Sequence, residues 1–122
     1  MNMNYTTLNA EARRLASVFI PEYDVGGIEV IVRRLQPNCA ALAYHCNRKI
    51  HMACNYKWDG EREWKMTLLH ELGHIVYDPD PNHGSRFREY YELLKARQGI
   101  IDEKLIPDSY HAFIYTAREC DG

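Results

Sequence analysis

The stretch His70-Glu71-Leu72-Gly73-His74, followed by His83-Gly84-Ser85-Arg86-Phe87, decides how this chain is read. On a helix, residues four apart lie about 40° from each other around the axis and one turn apart along it, so His70 and His74 can aim both imidazoles at one ion. Glu71 is offset by one residue. Its carboxylate then sits beside such an ion, where it can polarise a bound water and relay its proton instead of ligating. A zinc ion held by three protein groups keeps a fourth position for water and lowers that water's pKa from about 16 towards about 7. A third ligand is therefore needed, and His83 is the candidate.

The neighbouring residues are patterned to carry this site. Leu68, Leu72 and Ile75 cluster on the side opposite His70 and His74, so one face of the helix is expected to be buried and the other to carry chemistry. Gly73 falls mid-helix, where glycine costs about 1 kcal/mol relative to alanine. Close backbone approach near the metal would account for it. Asp78-Pro79-Asp80-Pro81-Asn82 holds two prolines that end the helix and build a stiff turn, reversing the chain so that His83 faces His70 and His74. Asp78 and Asp80 offer oxygen ligands, but the turn gives them a structural role. Ser85 to Gln98 suits a helix with Phe87, Tyr90, Tyr91 and Leu94 as its apolar stripe and Gly99 to close it. Phe87 is expected to pack the helix that follows His83 against the helix carrying His70.

These elements resemble the zinc metallopeptidases whose active-site helix carries HExxH, and within them the SprT-like family related to Spartan. The resemblance rests on His70-Glu71-Leu72-Gly73-His74, on His83-Gly84-x-x-Phe87 opening a helix, and on the upstream, strand-like Lys49-Ile50-His51-Met52-Ala53; it covers about residues 28–97. It implies one zinc ion per chain on His70, His74 and His83, Glu71 as general base, and a compact zincin-like fold of the α+β class. It also implies that Ile50 to Cys54 is a strand at a sheet edge, beside the active-site helix, where an extended substrate pairs with the backbone. Three departures are visible. The spacing from His74 to His83 is short for some members of the family, and neither a zinc ribbon nor a basic DNA-binding tail follows, which argues against a DNA-repair role. Two neighbouring families share part of the pattern. The ImmA/IrrE group often reads H-E-L-G-H at this place, and the minigluzincins put a glutamate ligand on the next helix, for which Glu89 or Glu92 would stand. Neither explains His83-Gly84-Ser85-Arg86-Phe87 as well.

The whole chain is bounded by its size. Its 122 residues, 46 % hydrophobic and 26 % charged, allow one core and read as a single globular domain. Within it, residues 1–24 form an N-terminal helical region, 25–57 a sheet, 58–98 the metal-binding helices and 99–122 a tail. A net charge of −2 gives no electrostatic reason to expect nucleic acid as a partner. No apolar run approaches the roughly 20 residues that span a bilayer, and no signal peptide is visible, so a cytoplasmic protein with no membrane contact is expected. Cys39, Cys46, Cys54 and Cys120 form no C-x-x-C pair and read as reduced thiols, the first three packed within the sheet.

Before the motif, Thr6 to Ile20 reads as a helix capped by Thr7 or Asn9, with Leu8, Ala12, Leu15, Val18 and Phe19 as its apolar side and Pro21 at its end. Ile28 to Leu35, Ala40 to Cys46 and Lys49 to Tyr56 read as three strands of an antiparallel or mixed sheet, the last two joined as a hairpin through Asn47-Arg48. His45 and His51 lie on strands outside the motif and read as solvated. Asp59 is the expected N-cap of the active helix, and Trp64 an expected core residue. Ser109 to Glu119 reads as a short final helix capped by Ser109. In it Tyr110, His111 and Tyr115 are candidates to donate to an oxyanion, and Cys120 beyond it could occupy a fourth zinc position and keep the site latent.

The expected activity is zinc-dependent hydrolysis of a peptide or protein substrate, with Glu71 moving the proton. The competing expectation is a non-catalytic zinc module that is structural or recognises a peptide. Such a site would be closed by a fourth protein ligand and would have no use for Glu71.

Overall fold

The computed structural model describes residues 3–100, 104–116 and 118–119. Helix α1 (Tyr5–Phe19) leads into strand β1 (Glu29–Arg33); β2 (Ala41–Tyr44) and β3 (Lys49–Ala53) form a hairpin; α2 (Glu61–Val76), α3 (Ser85–Arg97), a 3-10 turn at Gln98–Ile100 and α4 (Tyr110–Thr116) follow. The architecture is α+β, with four helices and a mixed three-stranded sheet.

Sheet order is β1-β3-β2, with β3 parallel to β1 and antiparallel to β2. This corrects the reading of Ile50 to Cys54 as an edge: β3 is central, and both its sides are spent on ladder hydrogen bonds. The alternating burial of Ile50 and Met52 fits a strand covered on one face. Two edges remain. That of β1 is held at Val30 by Asn9, which donates from Nδ2 to the Val30 carbonyl (2.8 Å) and accepts the Val30 N–H on Oδ1 (2.9 Å). That of β2 faces the segment after α4. Asn9 is thus a buried tie between helix and sheet and not the cap of α1; Asn4 caps α1, accepting the Thr7 N–H at 2.9 Å.

The core is built around α2. Every residue from Trp64 to Ile75 is buried, so the expected division into a buried face and an open chemical face does not hold. A helix apolar on one side and carrying histidines on the other has been enclosed by the sheet, α1, α3 and α4. Its N-cap is Gly60, at φ 113°, with no side-chain cap. Asp59 instead donates its N–H to Glu63 Oε1 (3.3 Å). Arg97 at the end of α3 forks onto Glu22 (2.6 and 2.5 Å) and reaches the Phe19 carbonyl (2.7 Å). An ion pair this exposed contributes roughly 0–1 kcal/mol, so α3 is held chiefly by burial of Phe87, Tyr90, Tyr91 and Leu94.

Cys46 and Cys54 are free and exposed at the ends of β2 and β3, not packed within the sheet. Cys39 is buried and disulfide-bonded, which corrects its reading as a reduced thiol. Cys120 lies outside the described residues. No helix among the described residues is long and apolar enough to cross a membrane.

Gly73 has a packing reason, and it is not an approach to the metal. A Cβ there would lie 2.3 Å from Cε2 of Tyr90, whose ring is fully buried and anchored by a hydrogen bond from its hydroxyl to the Leu69 carbonyl (2.6 Å). Gly73→Ala gains about 1 kcal/mol of helix propensity but overpacks a ring that cannot retreat, typically at a cost of 1–3 kcal/mol. The expected outcome is a net loss of stability in urea unfolding. An alanine variant more stable than the parent would contradict the packing of α3 on α2.

Candidate metal centre

Three devices bring the histidines together. Helix α2 presents His70 and His74 one turn apart. Tyr77 and Asp78 both donate their N–H groups to the Gly73 carbonyl (2.9 and 2.8 Å), ending the helix. The turn is then built by two successive aspartates: Asp78 Oδ1 accepts the Asp80 N–H (3.0 Å) and Asp80 Oδ1 accepts the Asn82 N–H (2.9 Å). Asp78 and Asp80 are therefore structural, as the two prolines suggested. His83 follows with φ 54°, a left-handed conformation uncommon outside glycine. The Tyr110 hydroxyl holds it there, donating to the His83 carbonyl at 2.8 Å.

The Nε2 atoms of His70, His74 and His83 form a triangle of 3.1–3.2 Å sides. Glu119 completes it. Its Oε1 lies 3.1 Å from His74 Nε2 and 2.8 Å from His83 Nε2, and it also contacts His70 Nε2. All four ligand atoms fall within 4.8 Å of one another, and the cluster can hold a metal ion. His70 Nδ1 meets the Phe113 carbonyl (3.3 Å) and His74 Nδ1 the Asp78 carbonyl (3.0 Å). Donation to these carbonyls places the ring proton on Nδ1 and leaves the lone pair on Nε2, the arrangement of a metal-ligating histidine.

The donor set fits zinc. Tetrahedral ligands at about 2.0–2.1 Å from an ion stand roughly 3.3–3.4 Å apart, within a few tenths of an ångström of the triangle observed. Lone pairs of two imidazoles converging on a carboxylate are unfavourable without a cation between them. Burial pushes the His70 pKa down, with Glu119 acting in the opposite sense. For His74, burial is outweighed by Glu119 and the Asp78 carbonyl, and the value is raised. Burial alone would raise Glu119, but its bonds to the three histidines hold it well below the carboxylate range.

Aromatic rings wall the cluster. Phe87 stacks on His74, with centroids 4.4 Å apart and planes at 14°, and lies 4.9 Å from His70 and 5.0 Å from His83. Phe113 of α4 closes the other side of His70 at 5.4 Å. Phe87 thus joins α3 to the site, as its position after His83-Gly84 suggested.

Glu71 stands apart from the ligands. It is fully buried, its Oε1 is 3.9 Å from His70 Nε2, and neither carboxylate oxygen has a hydrogen-bond partner among the described residues. Burial, and then the neighbouring Glu119, push its pKa well above the usual range. A buried carboxylate without partners is costly, which makes Glu71 a candidate functional position.

Other candidates lie elsewhere. Glu89 and Glu92 are exposed on α3, because its inward stripe is filled by aromatic and leucine side chains. His111 and Tyr115 meet at the surface in a tilted ring contact (centroids 4.4 Å apart, planes at 57°), and Tyr110 is spent on the His83 backbone. His51 accepts from Arg33 Nε (2.5 Å), and exposed His45 lines a groove beside the cluster together with Leu42, Ala43, Pro79 and Pro81. Glu119 was missed by the motif reading, which placed it at the end of the final helix. That helix ends at Thr116, and Glu119 sits in an extended segment bridged to Ala41.

Comparison with protein-family models, curated proteins and solved structures finds no match to this chain. The centre therefore stands on its own geometry. Metal content measured on purified protein is expected to be one ion per chain in the wild type. It should be lost, or bound on the order of 100-fold more weakly, in His83→Ala, with His45→Ala and His111→Ala unaffected. Undiminished metal in His83→Ala would remove His83 from the centre.

Proposed function

We propose that this chain is a zinc-dependent peptidase of the HExxH type, similar to the SprT-like family, acting on peptide or protein substrates. The observation that carries the reading is Glu71, a buried carboxylate with both oxygens unpartnered beside the histidine triangle. His70, His74 and His83 would hold the ion. When bound, it supplies Lewis-acid activation of a water and of the scissile carbonyl.

The chain's own residues supply the rest. Glu71 accepts the proton of the attacking water on a carboxylate oxygen and returns it to the departing amine nitrogen. Phe87 and Phe113 exclude bulk water from the histidines, which strengthens electrostatic interactions within the site. The carbonyls of Phe113 and Asp78 hold two of the imidazoles in the ligating tautomer.

A second reading is favoured by Glu119. Three histidines and a carboxylate make a closed four-ligand set, the pattern of a structural zinc site, and the domain would then be a non-catalytic zinc module. Glu71 separates the two. On the peptidase reading, Glu71→Gln keeps one zinc per chain and lowers cleavage of dye-labelled casein by at least 100-fold. Cleavage at full rate by Glu71→Gln would contradict it. Absence of cleavage by the zinc-loaded wild type and by Glu119→Gln alike would favour the structural module.

A further inference from the structure

The segment after α4 makes two contacts in consecutive residues. The Arg118 carbonyl accepts the Ala40 N–H at 2.6 Å, and Glu119 forms a parallel bridge with Ala41. Residues 118 and 119 thus lie along the free edge of β2. Among the described strands, that edge is the place where the sheet can take another strand beside the centre: β3 is internal, and the exposed side of β1 is tied to α1 by Asn9. At the same step, the Glu119 carboxylate enters the fourth position among His70, His74 and His83. The segment occupies both things a substrate needs, the backbone edge and the coordination position.

Resting on the peptidase reading above, we propose that Arg118–Glu119 is an intramolecular occupant of the substrate site, so that the chain as folded is latent and an extended peptide binds by displacing it from β2. The groove formed by Leu42, Ala43, His45, Pro79 and Pro81 is then the substrate subsite along that edge. Its β2 backbone on one side and its proline wall on the other suit main-chain recognition of an extended peptide. Among the described residues, the Arg118 carbonyl on Ala40, the bridge to Ala41, the Arg118 side chain against Tyr56 and the Glu119 carboxylate fix the segment, beside the disulfide-bonded Cys39. Four protein ligands exclude water from the ion, and three admit it. Release of Glu119 is therefore the step that converts one state to the other.

The test loads cobalt(II) as a spectroscopic probe into the full-length wild type, Glu119→Gln and the control Glu92→Gln. Acetohydroxamate, a small metal-binding anion, is titrated against the visible absorption. Hydrogen exchange at the Ala40 amide is followed in parallel. The expected result is hydroxamate binding at least ten-fold tighter in Glu119→Gln than in wild type or control, with faster exchange at Ala40. Equal hydroxamate affinity in wild type and Glu119→Gln would overturn the proposal, as would loss of cobalt from Glu119→Gln, which would make Glu119 an indispensable structural ligand. Casein cleavage distinguishes the two levels of the reading. If Glu119→Gln opens the fourth position but does not cut casein, latency of the position stands and the peptidase reading falls. If wild type and Glu119→Gln cut equally well, the peptidase reading stands and the occupant falls.

Discussion

Three imidazole nitrogens and a carboxylate oxygen converge inside a small core, and the rest of the structure is arranged around holding them there. Two of the imidazoles have their protonated nitrogens committed to backbone carbonyls, so their lone pairs face one another and a negative charge. Such a cluster is repulsive until a cation joins it. An ion bound at the cluster would offset the cost of burying it, and on the proposed reading folding and metal binding are coupled.

That coupling explains features that otherwise look wasteful. Helix α2 is enclosed on all sides although it carries two histidines and a glutamate. The ring of Tyr90 presses on a glycine. His83 is held in a left-handed conformation by Asp78, Asp80 and Tyr110. Each fixes part of the cluster or of the helix that carries it, and preorganisation of this kind is what a tight and specific metal site requires. Phe87 links the parts: one ring packs on all three histidines of the cluster and on Tyr90. Among the described residues, only the Glu71 carboxylate is left with buried side-chain oxygens and no hydrogen-bond partner.

Much of this was legible in the chain because it is local. The four-residue spacing of His70 and His74, the proline turn, the capping serine at Ser109, which accepts the Ala112 N–H, and the stripe of α3 all act over a few residues, and helical periodicity exposes them. The hairpin of β2 and β3 was readable for the same reason. What could not be read is set by return of the chain over long distances. A parallel pairing of β1 with β3 places β3 in the centre of the sheet, and no short-range signal distinguishes that from an edge. Glu119 follows His83 by 36 positions and has no motif around it. Only the folding of α4 against His70 brings it back. Asn9 misled for a related reason: a polar residue early in a helix looks like a cap, whereas here it satisfies the backbone of a strand.

The most direct test of the account is X-ray absorption spectroscopy at the zinc edge of the metal-loaded chain. The structure predicts a first shell of three imidazole nitrogens and one carboxylate oxygen, at about 2.0–2.1 Å. The multiple-scattering signature of three histidine rings should be present. A shell containing sulfur at about 2.3 Å, or only one or two imidazoles, would contradict the centre described here.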